Sequence, residues 1–289
     1  MKKTHIIFLA VLTLAACVER PKSWQLARTI TTKGVNPIGI AQTPEGIWLS
    51  DGDHKRVVRV DENGKITQRI DPLERPMHIA SNGGALLIPL YGEDRVLRWE
   101  KNKVAQMAIT DSLDAPAGVW QTGNETAIAD FYNHRVLYSP NGSDWVSFGK
   151  EGRAEGDLYY PTDVQITKDK IWVADAYNNR VQVFTKQGGF LKAIGKEQKM
   201  NASTGIYVSG ENLFVTDFEN DRVLVFDLDG NLIQEISEKI EKPTDVLLSG
   251  KELYVTNYRN GKVTVFEKRE MPTENANKDE HGHEHEHEH

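Results

Sequence analysis

The chain has 289 residues, a formal net charge of −7 and a single cysteine, which excludes an internal disulfide framework and disfavours a partner that presents phosphates. No apolar run approaches the ~20 residues that a membrane-spanning helix needs. A chain of this size buries roughly 75% of its unfolded surface, so core size is no constraint.

At the N-terminus, Lys2 and Lys3 precede an apolar run over 6–14, which leads into Leu14-Ala15-Ala16-Cys17. A basic start, a short apolar stretch and small residues form an export signal. Leu-Ala-Ala-Cys resembles the lipobox of bacterial lipoproteins, and the resemblance implies that Cys17 becomes the new N-terminus and carries lipid. The alternative is an ordinary signal peptide that contains a cysteine. On the first reading, residues 1–16 are removed and 17–23 form a tether. The protein then sits in the bacterial cell envelope, held by lipid at the outer membrane or periplasmic face, or at the outer face of the cytoplasmic membrane.

Residues 24–30, WQLARTI, read as a strand ahead of the first of six repeats. The repeats open at Pro37, Pro76, Pro116, Pro161, Ser203 and Pro243, spaced by 39, 40, 45, 42 and 40 residues. A basic residue that opens each third strand keeps the same spacing: Arg56, Arg95, Arg135, Arg180, Arg222 and Lys262. Within a repeat, short runs rich in β-branched and aromatic residues alternate with turn residues, and no run has a helical period. The clearest copy is 160–195, with strands PTDVQIT, KIWVADA, RVQVFT and GFLKAIG. A period near 40 with four strands per unit predicts an all-β, six-bladed β-propeller of four-stranded antiparallel blades over 24–268.

The predicted blades are 36–70, 75–109, 115–149, 160–195, 201–236 and 242–268. The last lacks a fourth strand, so 24–30 is expected to supply it and close the ring, removing an open edge. The 45-residue interval places a loop insertion around 151–157. Blade two departs most, with Pro89 and Leu90 where other blades have Ala-Asp or Ser-Asp. Proline in a central strand predicts local irregularity there.

The segments 127–138, 172–184 and 214–226, together with the linker Phe148-Gly149-Lys150-Glu151-Gly152, Gly156-Asp157-Leu158 and Pro161, resemble the NHL repeat. The resemblance covers roughly 36–266 and is specific for fold. NHL propellers serve as enzymes, nucleic-acid binders and protein-binding platforms, so it leaves function open.

Two sets of residues bear on chemistry inside the propeller. Asp51, Asp130, Asp175 and Asp217, with Asn257, end the second strands, beside the recurring Arg. Residues that recur in nearly every blade are expected to build blades by capping turns and bridging loops. The third position of the opening motif differs. It reads Gly39, His78, Gly118, Asp163, Gly205 and Asp245. Family geometry implies that this position starts the innermost strand. One imidazole and two carboxylates, a third of a turn apart, would converge on the axis and could bind Zn²⁺ or another divalent ion. The competing reading is a wet channel lined by the usual Asp and Gly.

Beyond the propeller, 269–280 is polar without an apolar period and is expected to be a disordered linker. The chain then ends HGHEHEHEH over 281–289. His281, His283, His285, His287 and His289 alternate with Glu284, Glu286 and Glu288. In an extended chain alternate residues lie on one side, about 6.6 Å apart, so His-x-His pairs can chelate Zn²⁺, Ni²⁺ or Cu²⁺. A solvated low-complexity end or an affinity tag are the plain alternatives.

The expected function is an envelope lipoprotein acting as a binding platform for a protein or small-molecule ligand, with a metal-binding tail and no nucleic-acid partner. The alternative is a metal-dependent propeller enzyme with a channel site. Propellers similar in repeat include peptidyl-hydroxyglycine lyases, which hold zinc with channel histidines, and sugar lactonases, which use a channel metal and carboxylates. His78 is the one histidine at a channel position here, against three in the lyases.

Overall fold

A computed structural model describes residues 20–271. They form six four-stranded antiparallel sheets, and the unit Trp24–Lys268 is compact. Each sheet is a meander such as Pro161–Ile166, Lys170–Asp175, Arg180–Thr185 and Phe190–Ile194. The innermost strands of blades one to six are Ile40–Thr43, Ala80–Asn82, Pro116–Thr122, Pro161–Ile166, Ser203–Val208 and Pro243–Ser249. These inner strands touch one another in a closed ring. The fold is the six-bladed propeller expected from the repeats. Among the described residues, no helix is long and apolar enough to cross a membrane.

Closure is the expected one. Lys22–Thr31 pairs with Lys262–Glu270 as the outer strand of blade six. Trp24 is 8% exposed and meets Phe214 of blade five edge-on, with ring centroids 5.5 Å apart. The Gln234 amide accepts from the Trp24 N–H and donates to its C=O, each at 2.8 Å. The side chain thereby stands in for a strand neighbour and ties blade five to the closing strand.

The core is divided rather than central. Six apolar clusters lie one in each interface between neighbouring blades. Between blades one and two, for example, Trp48 packs on Trp99 at 4.9 Å. A single blade cannot bury both of its faces, so each interface depends on the next.

The recurring carboxylates build blades. Asp51, Asp130, Asp175, Asp217 and Asn257 are fully buried. In each case one side-chain oxygen accepts the N–H of Asn36, Asp114, Tyr159, Asn201 or Glu241, in the linker that enters the inner strand. In the four aspartates the other oxygen accepts Nε of the recurring arginine at 2.7–2.9 Å. The loop over 151–157 joins this scheme, because Arg180 donates to the Ala154 and Asp157 carbonyls.

Blade two is irregular, although not in the strand that holds Pro89. Ala85–Leu90 is fully buried and pairs in unbroken register with Arg95–Glu100. The break falls on its neighbour, the inner strand, which is cut to Ala80–Asn82. Leu90 stands in the carboxylate position, so the Arg95 Nε is buried without a hydrogen bond and the guanidinium pairs with Glu93 instead.

Candidate metal centre

His78, Asp163 and Asp245 lie at equivalent positions where the chain enters the inner strands of blades two, four and six, and all three are buried, at 3%, 8% and 5% exposure. The intervening blades start with Gly39, Gly118 and Gly205, because their neighbours leave no room. A Cβ on Gly39 would lie 2.8 Å from the His78 Cα. On Gly118 and Gly205 it would lie 2.8 Å from the Cα atoms of Asp163 and Asp245. The alternation of glycine and polar residue is therefore a packing rule, and it brings three polar side chains to one place.

One ligand atom from each of the three lies within 4.8 Å of the others. The His78 Nδ1 is 3.5 Å from Asp245 Oδ2, and this buried nitrogen makes no hydrogen bond. Both carboxylates are anchored. Asp163 accepts the Val164 and Ile206 N–H groups at 2.8 and 2.9 Å. Asp245 accepts those of Val246 and Ile40 at the same distances. Each carboxylate oxygen keeps a further lone pair, so the anchoring fixes the side chain without exhausting it.

Burial pushes the Asp163 carboxyl up. The His78 imidazole pulls it down, Asp245 raises it again, and two backbone N–H groups hold it lower; the balance is about 7. For His78, burial lowers the imidazole while Asp245 and then Asp163 raise it, and the result stands above its ordinary value. A nitrogen and two carboxylate oxygens, confined together, are a donor set that suits Zn²⁺ and its divalent neighbours once their protons are displaced. Bonds of about 2.0–2.2 Å place tetrahedral ligands roughly 3.4 Å apart; the pair at 3.5 Å already fits, and a pair at the 4.8 Å limit needs a contraction of about 1.4 Å.

Asp163 and Asp245 close one end of a cavity of about 170 Å³ on the axis. Its walls are Ile40, Ile79, Val119, Ile206 and Val246, and its lining extends to Gln42, Ser81 and Leu248 further along the strands. Trp120 and Tyr207 meet across it with ring centroids 6.2 Å apart. These two rings were not singled out from the sequence. The signal for them is the position two after the ligand position, which reads Ala41, Ala80, Trp120, Gln165, Tyr207 and Leu247.

A second feature also escaped the sequence reading. Tyr91, Phe131, Tyr132, Tyr159, Tyr160 and Tyr177 form a continuous chain of ring contacts across blades two to four. They come from the turns after the second strands and from one linker. Cys17 and the tail histidines His281, His283, His285, His287 and His289 lie outside the described residues.

A sequence profile for a family described as 6-bladed beta-propeller matches residues 151–239. No curated protein sequence matches the chain significantly. Among solved structures, a gluconolactonase from Xanthomonas campestris is similar, with TM-score 0.68 and 14% identity over 86% of this chain and 100% of that one. A streptogramin B lyase is similar at TM-score 0.64 and 14% identity, over 88% and 89%. A virginiamycin B lyase from Staphylococcus aureus is similar at 0.63 and 12%, over 85% and 99%. At these identities the likeness concerns the fold.

Proposed function

We propose that this protein is a lipid-anchored envelope β-propeller that binds one divalent transition-metal ion in its channel, through His78, Asp163 and Asp245, and presents that ion to a small ligand. The observation that carries the reading is the convergence of these three buried side chains within 4.8 Å around an imidazole nitrogen without a hydrogen bond. A buried donor or acceptor left without a close hydrogen bond costs about 1–3 kcal/mol, and a bound ion would remove that cost while pairing with the carboxylates in their ionised form. The tail over 281–289 acts as a second, weaker site that raises local metal concentration.

A metal-dependent enzyme is the second reading. It is favoured by the cavity, which reaches Asp163 and Asp245 and would let a small ligand approach an ion held by those carboxylates, as catalytic zinc sites require. Turnover of a panel of small esters and lactones by metal-loaded protein separates the two readings. Binding without turnover supports the first.

The metal reading is tested with full-length chain whose five tail histidines are serine. One equivalent of Zn²⁺ is expected to bind. At a hundredfold excess over Kd it stabilises by about 2.7 kcal/mol, which raises Tm by roughly 5–10 °C. The gain is expected to be full at pH 8 and to fade as pH drops below 7, because protons on Asp163 and His78 compete with the ion. Without metal the sign reverses. Both groups have folded pKa values above their ordinary ones, so each stabilises the folded state in acid; the Asp163 contribution is lost as pH rises through about 7, and the His78 contribution as pH rises through its own raised value. A Tm unmoved by Zn²⁺ at pH 8 would end the proposal.

The anchor is tested by fractionation. Cys17→Ser is expected to move the protein from the membrane to the soluble fraction, because a lipid chain contributes about 0.8 kcal/mol per buried CH₂. A variant that sediments with membranes as before would leave an ordinary signal peptide.

A further inference from the structure

Pro89 breaks the repeat, and its effect falls on His78. In blade one the antiparallel pair at this level is complete. Ile38 N–H donates to the Ser50 C=O and Ser50 N–H donates to the Gly39 C=O, each at 3.0 Å. The Ser50 hydroxyl also accepts the Gly39 N–H at 2.7 Å. Blades five and six repeat the hydroxyl bond, from Gly205 to Thr216 and from Asp245 to Thr256, at 2.7 and 2.8 Å. In blades three and four the ligand-position residues pair with Ala129 and Ala174.

Blade two keeps half of this. Met77 N–H still donates to the Pro89 C=O at 3.2 Å. Proline has neither an N–H for the His78 C=O nor a hydroxyl for the His78 N–H. The His78 N–H turns instead to the Ala117 C=O of blade three, at 2.9 Å. The result is a parallel bridge between His78 and Gly118 that joins two blades. Leu90 adds to the release. In the other blades a buried carboxylate or amide at that position clamps the linker that enters the inner strand, and in blade two leucine cannot.

We infer that Pro89 is a positioning residue for the channel site: by removing the intra-blade partners of His78 it hands the backbone of His78 to blade three and sets the imidazole against Asp163 and Asp245. This rests on the metal reading above. The atom that faces Asp245 is Nδ1, which hangs from Cγ as a carboxylate oxygen does in aspartate, so the two side chains reach about equally far and the place of the His78 backbone decides where the nitrogen lands.

The test uses the full chain with tail histidines replaced by serine, as wild type and with Pro89→Ser or Pro89→Ala. Serine restores the blade-one arrangement, N–H and hydroxyl together. Alanine restores the N–H alone, as in blades three and four, and serves if the serine variant folds poorly. Co²⁺ and Zn²⁺ affinities are measured by titration, with the Co²⁺ d–d spectrum as a report on ligand geometry and the metal-free Tm as a report on folding. The expected result is a Kd at least tenfold weaker and an altered Co²⁺ spectrum, with metal-free Tm unchanged or higher. A role confined to blade stability would lower Tm and leave Kd and spectrum alone. Kd within threefold of wild type in both variants overturns the inference and leaves the metal site standing. Failure of the wild-type background itself to bind overturns the site reading and this inference with it.

Discussion

Deleting residues 24–30 is expected to abolish the folded monomer: the product should aggregate, or melt without a cooperative transition. The segment is the outer strand of blade six, and its loss leaves Lys262–Glu270 as an open edge with unpaired N–H and C=O groups. It also strips Trp24 and Ile30 from the two clusters that flank blade six. Trp24→Ala is the graded version. Trp24 packs on Phe214 within a cluster that includes Val225, Ile236 and Phe266, so truncation should cost about 3–5 kcal/mol in urea unfolding. A deletion variant that stays monomeric and melts within a few degrees of wild type would show that the ring closes without this strand.

His78→Ala is expected to weaken Zn²⁺ binding in the channel by at least a hundredfold, with little loss of metal-free stability. The substitution removes the nitrogen ligand. Asp163 and Asp245 stay anchored, since their bonds run to backbone N–H groups of blades four, five, six and one. It also removes a buried Nδ1 that has no hydrogen-bond partner, which offsets part of the cavity left behind. Isothermal titration of the tail-serine background with and without His78→Ala measures the change. Affinity unchanged within threefold would show that the ion, if bound, is held elsewhere.

Much of the architecture was legible because a propeller is periodic. Two landmarks per blade, the opening proline and the third-strand arginine, kept one spacing, and the missing fourth strand of the last repeat pointed to 24–30. The three residues that converge were legible for the same reason, since once the repeats are aligned His78, Asp163 and Asp245 share one column. What that column could not show is distance. Convergence depends on how far each inner strand approaches the axis, which follows from side-chain packing in six interfaces. Pro89 was readable as a fault in blade two but not as one that falls on the neighbouring strand, because the lost bond belongs to the partner of the proline. Trp120 and Tyr207 were missed because their column holds small and large residues alike. The aromatic chain from Tyr91 to Tyr177 was missed because its members come from turns and a linker in three blades.

The most direct measurement is X-ray anomalous scattering at the zinc edge, on crystals of the tail-serine chain grown with Zn²⁺ at pH 8. The expected result is one anomalous peak on the channel axis, within about 2.0–2.2 Å of a His78 ring nitrogen and of one oxygen each from Asp163 and Asp245. Density there without anomalous signal, bridging the three side chains at hydrogen-bond distances, would identify water and contradict the metal centre.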